Sequence, residues 1–383
     1  MLKTATFQIQ TVKTPADNEL FLDVPKLIYA NDPHWVQPLR SSIAKNFAPD
    51  NPFLQYGKLQ QFIALSTGDR PQAIGRIVAA INNRLIEREN QKVGVVGFFE
   101  CTEDFEVAQA LLNAACQWLR EQGMTVARGP IDLSTHNNCL LLIDGFDSEP
   151  IMMMPYNPPY YPKFMDKDGW QKAKDAYAYK FGLKQDFPGE FERGYRIASK
   201  SGITFRPMRL KGKEFEEDCI KLYHLFNRAF VNNWSSSPRT EAEFLAEARE
   251  LQSIVDPDIF PIAECDGEMV GFFMAIPDYN IPLKQVGGKL DWLGILKLLW
   301  YRRKIDRVRV IAFCSLPEYR RKMVPLAVVH LGLQGANKQN KRYEWAELSW
   351  VYEDNDASRK LIEAGGAKIY KTYRIYEKAL WKH

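Results

Sequence analysis

A short apolar run, Val308 to Cys314, passes through Pro317-Glu318-Tyr319-Arg320-Arg321-Lys322 into a long apolar stretch, Leu326 to Gln339. No other feature constrains the fold as much, because a strand that enters a helix through a basic turn leaves the helix N-terminus facing outward. Such an end carries unpaired backbone N–H groups and partial positive charge, and is a ready seat for a pyrophosphate. A second unit follows in Trp345 to Val351, then Glu353, Asn355, Ser358, Leu361 and Gly365-Gly366. Its pattern predicts strand, polar bend, helix and glycine stop.

The first half repeats this grammar more faintly. Phe62 to Leu65 turns at Gly68-Asp69 into Ala73 to Ile81, which predicts an antiparallel pair, and Val93 to Glu100 predicts a third strand. Between Glu106 and Gln122, Val107, Leu111, Ala114, Ala115 and Leu119 fall at helical spacing, with Gly123 as the stop. Val126 to Pro130 predicts a further strand, ending near Asp132, Ser134, Asn137 and Asn138. In the second half Ile259 to Cys265 turns at Asp266-Gly267 into Met269 to Ile276. The expectation is an α+β (α/β) chain of two tandem units, residues 1–195 and 200–383. Each is a mixed, mostly antiparallel sheet flanked by helices. The join is expected between Gln185 and Gly202, with Ile203 opening the second unit's first strand.

At 383 residues the chain has room for two cores. With 46% apolar and 26% charged residues it has the composition of a soluble globular protein. A formal charge of +4 is too mild to argue for a nucleic-acid partner. The six cysteines are scattered, with no C-x-x-C spacing and no grouping with the five histidines. That argues against a zinc site and a disulfide framework, and predicts buried free thiols in a reducing cytoplasm. Met1 to Gln8 lacks the apolar core of a signal peptide, and no run approaches roughly 18 apolar residues, so no membrane span is expected. The sequence sets no oligomeric state.

Two segments stand out. Met152-Met153-Met154-Pro155-Tyr156-Asn157-Pro158-Pro159-Tyr160-Tyr161 combines prolines, which fix backbone shape, with flat aromatic surfaces. It could line a pocket, with Asn138, Tyr156, Asn157 and Tyr161 as substrate contacts, or plug a core with locally bonded tyrosines. Leu290 to Lys304 carries two tryptophans, many leucines and a basic end. It suits a helix lying in a membrane interface, or one packed on the protein's own sheet with a snorkelling basic end.

The order of strand, basic turn, helix and second strand over roughly residues 203–379 resembles the cofactor half of the GCN5-related N-acetyltransferase (GNAT) superfamily. That family's loop, Gln/Arg-x-x-Gly-x-Gly/Ala, is matched by Arg320, Arg321, Lys322, Met323, Val324 and Pro325, with both glycine positions changed. A tyrosine that many members use as general acid is matched by Ile362, which cannot donate a proton. Gly75-Arg76-Ile77, Gly97-Phe98-Phe99-Glu100, Arg128-Gly129-Pro130, Asp144-Gly145-Phe146, the Pro/Tyr segment and Tyr373-Arg374-Ile375-Tyr376-Glu377 extend the likeness to nearly the whole chain. Together they are similar to a tandem-domain bacterial family that includes bacterial ceramide synthases.

That resemblance implies acyl transfer from acyl-coenzyme A or acetyl-coenzyme A to an amine, either a small molecule or a lipid-type long-chain one, without metal. It places cofactor contacts at Cys314, Ser315, Arg320, Arg321, Lys322 and Asn355. Glu347 and Glu353 flank the second-half bend as candidate bases, while Glu100 and Asp132 end the matching first-half strands. Tyr160, with Tyr156 and Tyr161, is the candidate acid. Apart from the resemblance, the cysteine pattern points to the cytoplasm, and the interfacial reading of residues 290–304 would add peripheral contact with the inner membrane surface. The alternative is an inactive scaffold that binds a small molecule or protein partner, a reading that Met323, Pro325 and Ile362 favour.

Overall fold

The computed structural model describes residues 7–68, 70–230 and 233–381. Most of the Met1 to Gln8 stretch and Asp69 of the first turn lie outside the described residues. The first half runs β1 (Phe7–Thr11), α1 (Pro15–Ile28), α2 (Arg40–Lys45), β2 (Gly57–Ser66), β3 (Ala73–Asn82), α3 (Asn83–Glu89), β4 (Val93–Cys101), α4 (Phe105–Glu121), β5 (Val126–Gly129), β6 (Leu141–Asp144), α5 (Tyr160–Lys167) and β7 (Gln171–Gly182). Then come α6 (Gly189–Lys200), β8 (Thr204–Pro207), α7 (Gly212–Ala229), α8 (Glu241–Leu251), β9 (Pro261–Cys265), β10 (Glu268–Pro277), α9 (Asn280–Val286) and α10 (Trp292–Tyr301). The chain ends with β11 (Arg307–Ser315), α11 (Val324–Ala336), β12 (Trp345–Tyr352), α12 (Asp356–Ala364) and β13 (Lys368–Ala379).

The fold is α+β, a mixed sheet flanked by helices. The strands form one sheet in the order β1-β2-β3-β4-β5-β13-β7-β12-β11-β10-β9-β8, with β6 pairing β13 off this path. In each half an antiparallel series ends in one parallel pair, because a helix must carry the chain back to the start of the next strand. β4 pairs β5 from Val93↔Val126 to Val95↔Arg128, with α4 as the crossover. β11 pairs β12 from Arg307↔Trp345 to Val310↔Leu348, with α11 as the crossover. Beyond these short registers the paired strands part, leaving a gap in each half. A bulge bends the longer strand at both gaps: Phe98 has φ 49° in β4, and Ile311 is skipped where Ala275 faces Val310 and Met274 faces Ala312.

The halves interlock through their last strands. β13, from the end of the chain, lies between first-half β5 and β7, and β7 lies between β13 and second-half β12. The alternation of β7 serves two cores: Ala176 and Ala178 pack into one on the first-half side, Tyr179 and Phe181 into the second-half core. The stretch between Gln185 and Gly202, where the join is expected, contains α6. α6 packs on α11 so closely that a Cβ on Gly194 would lie 2.6 Å from the Leu326 Cβ.

α11 is seated with similar closeness at its other end, where a Cβ on Gly335 would fall 1.7 Å from the backbone oxygen of Asp258. Backbone cannot swing away as a side chain can. Gly335→Ala should therefore cost about 1–3 kcal/mol, the usual range for overpacking, and lower the midpoint of thermal unfolding followed by circular dichroism. An unchanged midpoint would mean that α11 can lift off without loss.

Candidate active site

The second-half gap has two contrasting faces, set by the two-residue period of its strands. Val308 and Val310 of β11 and Ala346 and Leu348 of β12 point toward α11 and α12, where they line a pocket. Every residue around it is apolar, including Gly332 and Leu333 of α11, Leu361 and Ile362 of α12, and Phe181 and Leu183 of the β7 end. It holds about 630 Å³ of empty volume, open solvent included. Ile362, at the family's tyrosine position, is a buried wall of this pocket.

On the opposite face Arg309 and Glu347 stand in register one step before the strands part. Glu347 is fully buried, and its Oε1 accepts from Ser349 Oγ at 2.5 Å while its other oxygen accepts from the Tyr370 hydroxyl. Arg309 Nε donates to Ser349 Oγ at 3.0 Å and Nη2 donates to the Ser349 carbonyl at 3.2 Å. Its Nη1 reaches the carbonyls of Met152 and Met153 at 3.1 and 3.0 Å, so the methionine segment of the first half closes over the group. Burial pulls the Arg309 pKa below the usual guanidinium range against the attraction of Glu347, and burial followed by Glu347 pushes the Tyr370 hydroxyl up. Lys371, which donates to the carbonyls of Ser148 and Glu149 at 3.2 and 2.7 Å, is pushed down to about 8 by burial, with Glu347 opposing.

Tyr370 is the member of this buried group that the sequence analysis does not single out. Register shifts between Ile369 and Lys371 and between Ile375 and Tyr376 break the alternation of β13, so the two-residue pattern does not say which tyrosine faces Glu347. Tyr373, three residues on, is buried with a hydroxyl that finds no partner in the protein.

The basic turn leads into α11 as the sequence predicts. α11 has no side-chain N-cap, and Met323 adopts φ 62°, ψ 21° immediately before it. This left-handed conformation is what the family's glycine supplies without strain; a methionine holds it at about 1–2 kcal/mol. Pro325 lies in the first helical turn, where its missing N–H leaves no intrahelical bond unmade. The turn thus keeps its shape and loses one donor. Arg320 and Arg321 are exposed, Lys322 half-exposed over the Tyr319 ring, and among the described residues none of the three is in an ion pair. Glu318 is engaged by Arg228 at 3.2 Å. Three uncompensated cations at an uncapped helix N-terminus fit a diphosphate. Cys314 is held as a thiol by burial, with its pKa pushed to about 12, and the buried Ser315 hydroxyl has no partner in the protein. Asn355 caps α12, accepting from Ser358 N at 3.2 Å.

The first-half gap is filled by the chain itself. Asp132 Oδ1 accepts from Phe98 N at 2.6 Å, and Ile131 N donates to Val96 O at 2.7 Å. A Cβ on Gly97 would lie 2.3 Å from Ile131 O. The helix that follows starts at Asp104, whose side chain caps Glu106 N at 2.9 Å beside Glu103, so this turn is acidic where its counterpart is basic. Around the gap, Glu100 Oε2 accepts from Tyr29 and Tyr161 at 2.9 and 2.7 Å. The Tyr160 hydroxyl donates to Cys101 O at 2.9 Å and that of Tyr156 to Asp32 at 2.8 Å. The Asn157 side chain bridges Leu142 N and O at 2.7 and 3.1 Å, and the Asn138 carbonyl accepts from Asp132 N at 2.8 Å. Glu353 is bound by Lys172 at 2.6 Å and Asp175 N at 3.1 Å. Glu100, Asp132, Asn138, Tyr160 and Tyr161 thus form one group around the first-half gap, and Glu347 belongs to another. Among the described residues no cluster of three His, Cys, Asp or Glu could hold a metal.

No protein-family model matches the chain. It is 32% identical to a bacterial ceramide synthase of Caulobacter vibrioides over 385 residues, 98% of each chain. It is 28% identical to Protein YghO of Escherichia coli, covering 97% of this chain and 95% of that one. Two solved structures share the fold. One is a tandem GNAT protein from the clavulanic acid biosynthesis pathway, 12% identical, with a TM-score of 0.58 over 99% of this chain and 100% of that one. The other is a GCN5-related N-acetyltransferase from Sphaerobacter thermophilus, 12% identical, with a TM-score of 0.53 over 98% and 96%.

The filled gap carries a titration signature. Burial raises the Asp132 carboxyl to about 7, against the Phe98 N–H and Arg76, so the fold holds a proton that the unfolded chain releases. The stability this contributes is complete below the ordinary carboxylate pKa and is lost as pH rises through about 7. Asp132→Asn keeps an oxygen for Phe98 N and removes the titration. Its unfolding midpoint relative to wild type should rise between about pH 5 and about pH 8; a constant difference would place the proton elsewhere.

Proposed function

The chain belongs to the tandem GNAT family that includes the bacterial ceramide synthase of Caulobacter vibrioides, and from that membership we propose that it is an N-acyltransferase working in its second half. The donor is acyl-coenzyme A with a long acyl chain, and the acceptor is an amine of lipid type. One observation carries this reading: a wholly apolar pocket lies across two strands from a buried carboxylate, at the point where those strands part.

Acyl transfer forms a C–N bond and breaks a C–S bond. The amine gives up a proton, and the departing thiolate gains one. Arg320, Arg321 and Lys322 with the α11 N-terminus would hold the diphosphate, and the pocket would exclude water from the acyl chain. Glu347 is the base, kept in place by Ser349 and Arg309. Tyr370, already bonded to Glu347, stands where it can return the proton, which answers for the isoleucine at 362. Glu100, Asp132 and Tyr160 then have a supporting role in the first half, bracing the segment that carries Met152 and Met153. The enzyme would act in the cytoplasm at the inner membrane surface, where a long-chain amine is met.

Glu347→Gln should lower kcat by about 10²–10⁴-fold without weakening palmitoyl-coenzyme A binding measured by calorimetry below its micelle concentration. Arg321→Ala with Lys322→Ala should raise the KM for acyl-coenzyme A by about tenfold at similar kcat, as loss of phosphate contacts does. Palmitoyl-coenzyme A should bind more tightly than acetyl-coenzyme A. Equal or absent binding of both, with Glu347→Gln silent, would favour the inactive scaffold.

A further inference from the structure

The segment between β10 and β11 presents an apolar surface that the rest of the described protein leaves uncovered. Among its large apolar side chains Trp292 is 69% exposed, Trp300 64% and Leu296 57%, with Leu293, Ile295 and Leu299 also exposed. Only Gly294 of α10 is buried. At 3.6 residues per turn Gly294, Leu298 and Tyr301 make one narrow stripe toward the protein, and the exposed apolar side chains fill the arc opposite. The packed-helix alternative for residues 290–304 therefore does not hold. A soluble monomer rarely leaves so dense a patch in water, and such a patch marks a docking surface.

Charge identifies the occupant. Lys289, Lys297, Arg302, Arg303 and Lys304 surround the patch, against Asp291 as the one acid of residues 289–304. Asp291 is spent on the helix N-cap, accepting from Gly294 N at 2.8 Å. The five cations are exposed, and among the described residues none of them is in an ion pair. Two lie near rings of the same segment, Arg303 with Trp300 and Lys304 with Tyr301. Tryptophans and leucines on one arc with cations at its border match a bilayer interface carrying negative headgroups. At ten residues the helix is ~15 Å long, half of the ~30 Å hydrocarbon core, so it lies in the interface and does not cross.

We infer that α10 docks the protein on an anionic phospholipid bilayer, with Trp292, Leu296, Leu299 and Trp300 inserted and the basic border on the headgroups. The helix is held at both ends close to the Glu347 group. Upstream, Asn280 of α9 donates to Pro150 O at 2.9 Å and Lys284 pairs with Glu149. Downstream, Arg307 donates to Asp278 at 2.6 Å and to Glu149 at 2.9 Å, two residues before Arg309 on β11. Docking thus sets the Glu347 side of the sheet next to the bilayer, the side from which a membrane-resident amine would arrive. This orientation rests on the acyl-transfer reading; the docking does not.

The test is co-sedimentation with large vesicles of pure phosphatidylcholine or phosphatidylcholine mixed with phosphatidylglycerol, using the full chain without acyl-coenzyme A. Wild type should bind the anionic vesicles and be released by salt. Trp292→Ala with Trp300→Ala should weaken partitioning by at least about tenfold, as should Arg302→Gln, Arg303→Gln and Lys304→Gln together. All these side chains are exposed, so each variant should keep the wild-type circular dichroism spectrum. No binding to either vesicle overturns the inference. So does a dimer, seen in sedimentation velocity, that the tryptophan variant dissociates, because the patch would then be covered by a second copy. Vesicle binding without acyl-coenzyme A binding would leave the docking standing and remove the acyl-transfer reading.

Discussion

The structure depends on the exchange of two strands at the centre of its sheet. β7 and β13 pair antiparallel along most of their length, and each is the neighbour of a strand from the opposite half. Side chains reinforce the ladder: Arg374, directly opposite Asp175, donates to both its oxygens at 2.7 and 3.0 Å. The buried β13 residues Tyr373 and Ile375 belong to a core otherwise built largely from the first half. Tyr370 of the same strand completes the Glu347 group of the second half. Neither half owns a complete core, and the candidate active site draws on both.

Two gaps of the same origin have met opposite fates. Each arises where a parallel pair ends and a bulged strand bends away. In the first half the chain fills its gap with Asp132, satisfies the bulge N–H internally and precedes the helix with acid. In the second half the bulged strand borders an apolar pocket and the helix is preceded by cations. One topology therefore yields a brace and a cleft, the difference residing in a few side chains at corresponding places. This is the sense in which function sits on a fold without following from it.

Most of the second-half architecture was legible in the sequence, because runs such as Val308 to Cys314 and Trp345 to Val351 carry strong patterns and clear stops. The basic turn was legible as well, although the two lost glycines argued against it. Only the backbone shows that Met323 accepts the left-handed angle and that Pro325 falls where its N–H is dispensable. Other parts had no local signal. The helix at 189–200 falls within the expected join, to which no conformation is assigned, and the exchange of β7 and β13 is a long-range pairing that periodicity cannot express. Register shifts hid Tyr370 among the tyrosines of β13. In α10 nearly every position is apolar, so the sequence could not show which side faces the protein; the burial of Gly294 alone decides it.

Cys314, half-buried on β11, shows what the strand does for the chain's own thiols. It stands on β11 beside Phe313, a wall of the apolar pocket, and burial pushes it up to about 12. An ionised thiol next to an activated acyl group would capture that group, since the thiolate is the nucleophilic form. Held as a neutral thiol, Cys314 is a poor acceptor at physiological pH. Were a thioester bound in that pocket as proposed, a neutral thiol on this strand would not compete with the amine for its acyl group.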